Sequence, residues 1–219
     1  MKFLLNWPDK LINTLTEIIK TIQTLFILLT VITCSNVAFA QKNKTAPDYL
    51  NIPGPLLFQN KAFHLNGSSH PSANFYKQEY LTKGEDANKY KMMLMIDVIA
   101  GETSLKNIVS AKIAELKKMK EGNPLVNYEI IQNPKTGEYL LDFLLTANAA
   151  DETTGIVERN VYRYKSSINK AGNKGVLLFA ASSRAYAKEV NNFFISLKAN
   201  RKVLVNEVAQ FKMPEISSK

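Results

Sequence analysis

Four charged side chains stand where an apolar core is expected. On a helical wheel at about 100° per residue, Lys112 falls in the middle of the stripe formed by Leu105, Ile108, Leu116 and Met119. Arg201 falls between Val190 and Phe194 on the face of the last helix-like run. Two strand-like runs each carry an acid, Asp97 in MMLMIDVI and Asp142 in YLLDFLL. A buried charge is costly unless it is paired. One arrangement that pairs them sets the cations opposite the carboxylates, as a polar cluster between helices and sheet. A convergent Lys, Arg and Asp set beneath an apolar cover suits a small anionic ligand. In the alternative arrangement both long basic side chains run along a helix edge to water, and each Asp faces solvent or marks a strand end.

Other constellations carry less. His64 and His70 lie six residues apart, and a metal site would need Glu79 or Asp86 brought in by the fold. No ligand spacing supports that, so no metal is expected. Ser68, Ser69 and Ser72 surround His70, but no acid is placed to orient the imidazole as a triad requires. The sequence holds no GxGxxG, no GxxxxGK[ST], no HExxH, no CxxC, no GxSxG and no EF-hand loop. No catalytic residue and no cofactor are expected.

The 219 residues include one Cys and two His, which excludes a disulfide framework and a cysteine-rich zinc module. The composition, 46% hydrophobic and 21% charged, is that of a globular chain and not of a collagen-like or disordered one. Residues 1–40 read as a signal peptide. Lys2, Lys10 and Lys20 precede an apolar stretch from Leu25 to Thr33, and Ala38-Phe39-Ala40 forms an A-x-A site with cleavage before Gln41. Two rivals are an uncleaved anchor at 21–40, which carries no formal charge and is about long enough to span a bilayer, and lipidation at Cys34. Lys2, Lys10 and Lys20 against Asp9 and Glu17 leave 25 Lys+Arg, 17 Asp+Glu and a formal charge of +8 on the remainder. In an exported protein such a charge suits an anionic envelope component or a small anionic ligand; nucleic acid is not expected.

The elements that must position these residues follow from periodicity. Residues 41–55 form a linker or extended lead-in, 56–213 a single domain and 214–219 a tail. A hairpin is expected at Leu56–Phe58 and Lys61–Leu65 with Gln59-Asn60 at the turn, then a polar loop over Asn66–Ser72. Asn74 to Leu81 and Tyr90 to Ile99 read as strands, the latter at the sheet centre. Residues 104–121 place their apolar positions along one face of a helix with Thr103 as N-cap. Val126–Gln132, Glu138–Thr146, Ile156–Tyr164 and Val176–Ser182 read as strands joined by turns. A long helix is expected from about 186 to 211, kinked near Ala199-Asn200. Consecutive strands on short turns are antiparallel. The expected fold is α+β, a mostly antiparallel sheet covered by two amphipathic helices.

The element order, and the stretch Val190-Asn191-Asn192-Phe193-Phe194-Ile195-Ser196-Leu197-Lys198 after a strand, resemble the PsbP-like fold. Phe193, Ser196, Leu197 and Lys198 match the closing-helix pattern of that family, and the extension to Phe211 departs from its short ending. The resemblance implies a binding or accessory role without catalysis and transfers no catalytic residue. The expected function is an exported, periplasmic, non-catalytic binding or accessory protein. The alternatives are a small extracytoplasmic hydrolase or transferase using Asp97, Asp142 and Lys112, and an envelope protein tethered by its N-terminal segment.

Overall fold

The computed structural model describes residues 46–216, apart from 53, 149–153, 169–171 and 173. The expected leader and its expected cleavage site at Ala38, Ala40 and Gln41, the alternative anchor at 21–40, Cys34, the first part of the lead-in and the last residues of the tail lie outside the described residues. Two four-stranded meanders make up the sheet. The first holds β1 (Leu56–Phe58), β2 (Lys61–Ser72), β3 (Phe75–Thr82) and β4 (Met92–Ala100). Helix α1 (Leu105–Gly122) leads to the second, β5 (Asn127–Gln132), β6 (Tyr139–Asn148), β7 (Thr154–Ile168) and β8 (Lys174–Tyr186). A 3₁₀ turn at Ala187–Glu189 precedes α2 (Val190–Gln210). The strand order is β1-β2-β3-β4-β8-β7-β6-β5, so the meanders join through their last strands, and every pairing is antiparallel.

Local chemistry sets these elements. Gln59 and Asn60 adopt φ values of 50° and 57°, the left-handed pair that a two-residue hairpin turn requires, and Phe58 pairs with Lys61 across it. At the β5–β6 turn the Asn133 side chain accepts from the backbone N–H of Lys135 at 3.0 Å, an Asx turn that reverses the chain. Helix α1 starts one residue later than expected, with Ser104 rather than Thr103 at its N-cap. Helix α2 loses its first turn to β8, because Tyr186 still pairs with Ile156. Asn200 has non-helical angles (φ −121°, ψ 21°), which places the kink within α2.

The expected sheet under two covering helices is not what forms. An eight-stranded antiparallel sheet curls into a half-barrel, with strand as the dominant structure. Two features account for the difference. The polar run Asn66–Ser72 is not a loop but the second half of β2, carried through register shifts between Leu65 and Gly67 and between Ser69 and Ser72; such bulges bend a strand and increase its twist. Strands β7 and β8 run to 15 and 13 residues and pair along their length, long enough for ordinary strand twist to coil the sheet.

Cover is shared with non-helical chain. The largest core cluster sets Phe63, Tyr80, Leu94, Ile96, Val161 and Phe179 from the sheet against Leu50, Ile52 and Phe58, with only Leu204 and Val208 buried from α2. Phe211 stacks on Phe179 with ring centroids 3.9 Å apart. On the opposite face α1 contributes Val109 and Leu116 to a cluster with Leu141, Phe143, Tyr164 and Val176. Each helix thus rests on one face of the sheet and shares the burial of that face with other chain.

Candidate functional site

Asp142 sits midway along β6, in a row with Val161 on β7, Ala181 on β8 and Leu94 on β4. Its face is the one α2 packs on, and Leu141 and Phe143 on either side of it face α1. A carboxylate 6% exposed in such a row needs a full set of donors. Arg159 of β7, itself 5% exposed, meets it as a fork: Nε donates to Oδ1 at 2.9 Å and Nη2 to Oδ2 at 3.0 Å. Planar two-point pairing of this kind is the strong form of a charge-assisted hydrogen bond.

Helix α2 supplies the third member. Arg201 donates from Nε to Asp142 Oδ2 at 3.2 Å, and its Nη2 lies 2.7 Å from Glu129 Oε2 on β5. Arg159 Nη2 also donates to the backbone carbonyl of Arg201 at 2.6 Å, next to the kink at Asn200. Farther along β7, Arg163 donates from Nε to Glu138 at 2.8 Å and from Nη1 to the carbonyl of Phe211 at 2.9 Å. Two arginines four residues apart on one strand face therefore hold α2 by its carbonyl groups, one at the kink and one just past its end.

Two cavities reach this network, both lined by Arg159 and Leu197. The larger, about 300 Å³, is lined by Asp142, Arg159, Phe194, Leu197, Lys198 and Arg201, with Tyr128 and Leu144 completing its wall. The smaller, about 180 Å³, has Met92, Ser183, Phe193 and Asn200 in its lining. Three cations against one carboxylate line the larger cavity, within apolar and aromatic walls.

Arg201 and Asp142 are thus brought together, while Lys112 and Asp97 lie elsewhere. Lys112 of α1 is on the other face, with Nζ 2.9 Å from Glu115 and 5.3 Å from the Phe143 ring centroid. Asp97 faces the same side as Met93 and Met95, opposite Leu94 and Ile96. It is paired in register with Lys77 of β3, and its Oδ1 is buried with no hydrogen-bond partner. Burial raises its carboxyl to about 6, partly offset by Lys77 and reinforced by Glu79. A single four-membered cluster does not form, because alternation along β4 and β6 sends the two acids to opposite faces.

Arg159 is the member that the helical and apolar patterns did not reveal. Its signal lies in the strand: Arg159, Val161 and Arg163 alternate on one face of β7, and hairpin pairing places Asp142 beside Val161. Tyr162 and Tyr164 point to the other face, so the arginines and tyrosines of β7 do not build one stacking surface. His70 stacks on Tyr76 at 4.1 Å between centroids, while Ser68 and Ser72 donate to Pro47 and Asn74. Among the described residues no group of three or more His, Cys, Asp or Glu is arranged to hold a metal ion, and no helix is long and apolar enough to cross a membrane.

A family model covers residues 50–213, well over half of the chain. The chain belongs to that family, which has no assigned function. No curated protein matches the sequence.

Proposed function

We propose that the protein is an exported, non-catalytic binding or accessory protein, periplasmic in a Gram-negative host, with the cavity beside α2 as its binding site for a small anionic ligand. One observation carries this: Arg159, Lys198 and Arg201 converge with a single carboxylate on a cavity walled by Phe194, Leu197 and Tyr128. Nη1 is the part of the Arg159 fork that neither Asp142 nor the helix carbonyl takes. A guanidinium already fixed by a buried partner loses little freedom when an anion joins it. The A-x-A leader supports export, and the resemblance to the PsbP-like fold supports an accessory role.

Titration of the purified full chain with inorganic phosphate and with citrate at low salt tests the site. Binding is expected to weaken as salt is added and to fall at least tenfold in Arg201→Gln, whose side chain is half-exposed and whose unchanged urea unfolding is checked alongside. Absence of binding by both anions, or unchanged affinity in Arg201→Gln, overturns it. Export is tested separately, by the intact mass of the protein recovered from a soluble extracytoplasmic fraction; a mass beginning at Gln41 is expected.

A further inference from the structure

The opposite face of the sheet carries a second cavity, about 480 Å³, between the C-terminal end of α1 and the strands β6, β7 and β8. Its volume lies within the range of roughly 300–1,000 Å³ usual for small-molecule sites. The walls are apolar: Met119, Val126, Leu145, Ala147 and Ile156. Met119 remains 42% exposed at its rim. The polar lining is two pairs, Asn123 with Thr146 and Glu158 with Arg184.

Hydrogen-bond accounting shows which of these groups has anything to offer a ligand. Asn123 and Thr146 satisfy each other, Nδ2 donating to the Thr146 hydroxyl at 2.9 Å and to its carbonyl at 3.0 Å. Glu158 is held by donors of its own. Its Oε1 accepts from Asn160 at 2.9 Å, and its Oε2 accepts from the Tyr90 hydroxyl at 2.9 Å and from two nitrogens of Arg184. Three of these four donors converge on Oε2 and one falls on Oε1. Those contacts hold the Glu158 carboxyl below its ordinary range despite its burial, so it stays an anion bound to its own donors.

Arg184 differs. A guanidinium has five N–H groups; Glu158 takes two of them and the Tyr186 hydroxyl also engages the group, which leaves donors over. The guanidinium carbon lies over the Tyr90 ring, 4.2 Å from its centroid, and the side chain is 22% exposed. The cavity therefore presents apolar walls, a carboxylate already held by its own donors and a fixed guanidinium with N–H capacity left. A ligand that fits needs an aliphatic body and an acceptor head.

We infer that this cavity is a binding site for a free medium-chain aliphatic carboxylate, its chain against Met119, Leu145 and Ile156 and its carboxylate on Arg184. Glu158 neutralises the guanidinium only in part of its fork, so the head is recognised by directed donors rather than by net charge. Adjacent residues on β7 point to opposite faces. Glu158 and Arg159 therefore serve separate cavities, and this site does not depend on the one beside α2.

Calorimetric titration of the full chain with decanoate, decanol, butyrate and dioleoyl phosphatidylglycerol vesicles tests the inference. Decanoate is expected to bind at least tenfold more tightly than decanol, which lacks the carboxylate, and than butyrate, which lacks the chain. Arg184→Gln strands the buried Glu158 and endangers the fold, so the deciding variant is Ala147→Trp, which fills the cavity from an exposed position of β6 and leaves the ion pair intact. It is expected to weaken decanoate at least tenfold with the melting temperature unchanged. Equal affinity for decanoate and decanol, unchanged binding in Ala147→Trp, displacement of decanoate by excess inorganic phosphate, or binding to vesicles but not to free decanoate would each overturn it.

Discussion

Asp142 and Asp97 are acids of similar setting, each in the middle of a strongly apolar strand, and the sheet treats them oppositely. Asp142 lies beside Arg159 and holds three charge-assisted hydrogen bonds. Asp97 has Lys77 across the strand and one buried oxygen without a partner. The Lys77 ammonium is shared with Glu79 at 3.2 Å. Sequence context is nearly the same in the two runs; the row in which each acid falls is not. Pairing of a buried carboxylate is decided by the neighbouring strand, and a planar guanidinium one row away satisfies it where a shared ammonium does not.

Four variants test that contrast. The largest effect is expected for Asp142→Ala, which leaves Arg159 buried without its partner and should cost about 3–5 kcal/mol in urea unfolding. Replacing both, Asp142→Leu with Arg159→Met, should recover most of that loss, since removing a buried pair is far cheaper than halving it. An Asp142→Ala protein with nearly full stability would erase the contrast.

Asp97→Asn should act in the opposite direction and depend on pH. The folded carboxyl titrates near 6, against 3.8 for the free group. Well below pH 3.8 both states are protonated and Asp97 carries no penalty. Between about 4 and 6 the unfolded chain releases a proton that the folded chain keeps, so wild-type stability falls as pH rises. The advantage of the variant should therefore grow across this window to on the order of 3 kcal/mol and then level off. A flat difference between pH 4 and 7 would place Asp97 with the well-paired acids.

The smallest effect is expected for Lys112→Met. Glu115 is 52% exposed, and a pair of that kind contributes little. The melting temperature should correspond to a change within about 0.5 kcal/mol, of either sign. A larger loss would mean that the Lys112 ammonium above the Phe143 and Tyr162 rings does more than reach solvent.

Much of the element order was legible because apolar period and turn chemistry are local properties. The Gln59-Asn60 and Asn133–Gly137 turns, the α1 stripe and the interruption of α2 near Asn200 can all be read from a few residues each. The curl was not legible. It arises from the pairing of β7 with β8 beyond their apolar centres, through Lys165-Ser166-Ser167 at one end and Arg184 at the other, where polar residues look like turns. The polar second half of β2 hid its strand in the same way. Within the site, Arg201 and Asp142 stood out as charges in apolar stripes. Arg159 did not, because β7 alternates charged residues on one face with tyrosines and other polar residues on the other, and only register shows that the face carrying its arginines is the covered one.

The seam between the two meanders carries a consequence for how the chain reaches this structure. Met92 pairs with Ser183 and Ala100 with Gly175, partners 91 and 75 positions apart, whereas every other strand pair joins chain neighbours. Each half can zip from its own turns, but the seam must close a long loop before any contact compensates for the lost freedom. At its end the Gly175 backbone lies so near that a Cβ would stand 2.6 Å from the carbonyl oxygen of Ile99. Refolding speed is therefore set at the β4–β8 seam, where the absence of one side chain lets the halves come within bonding reach.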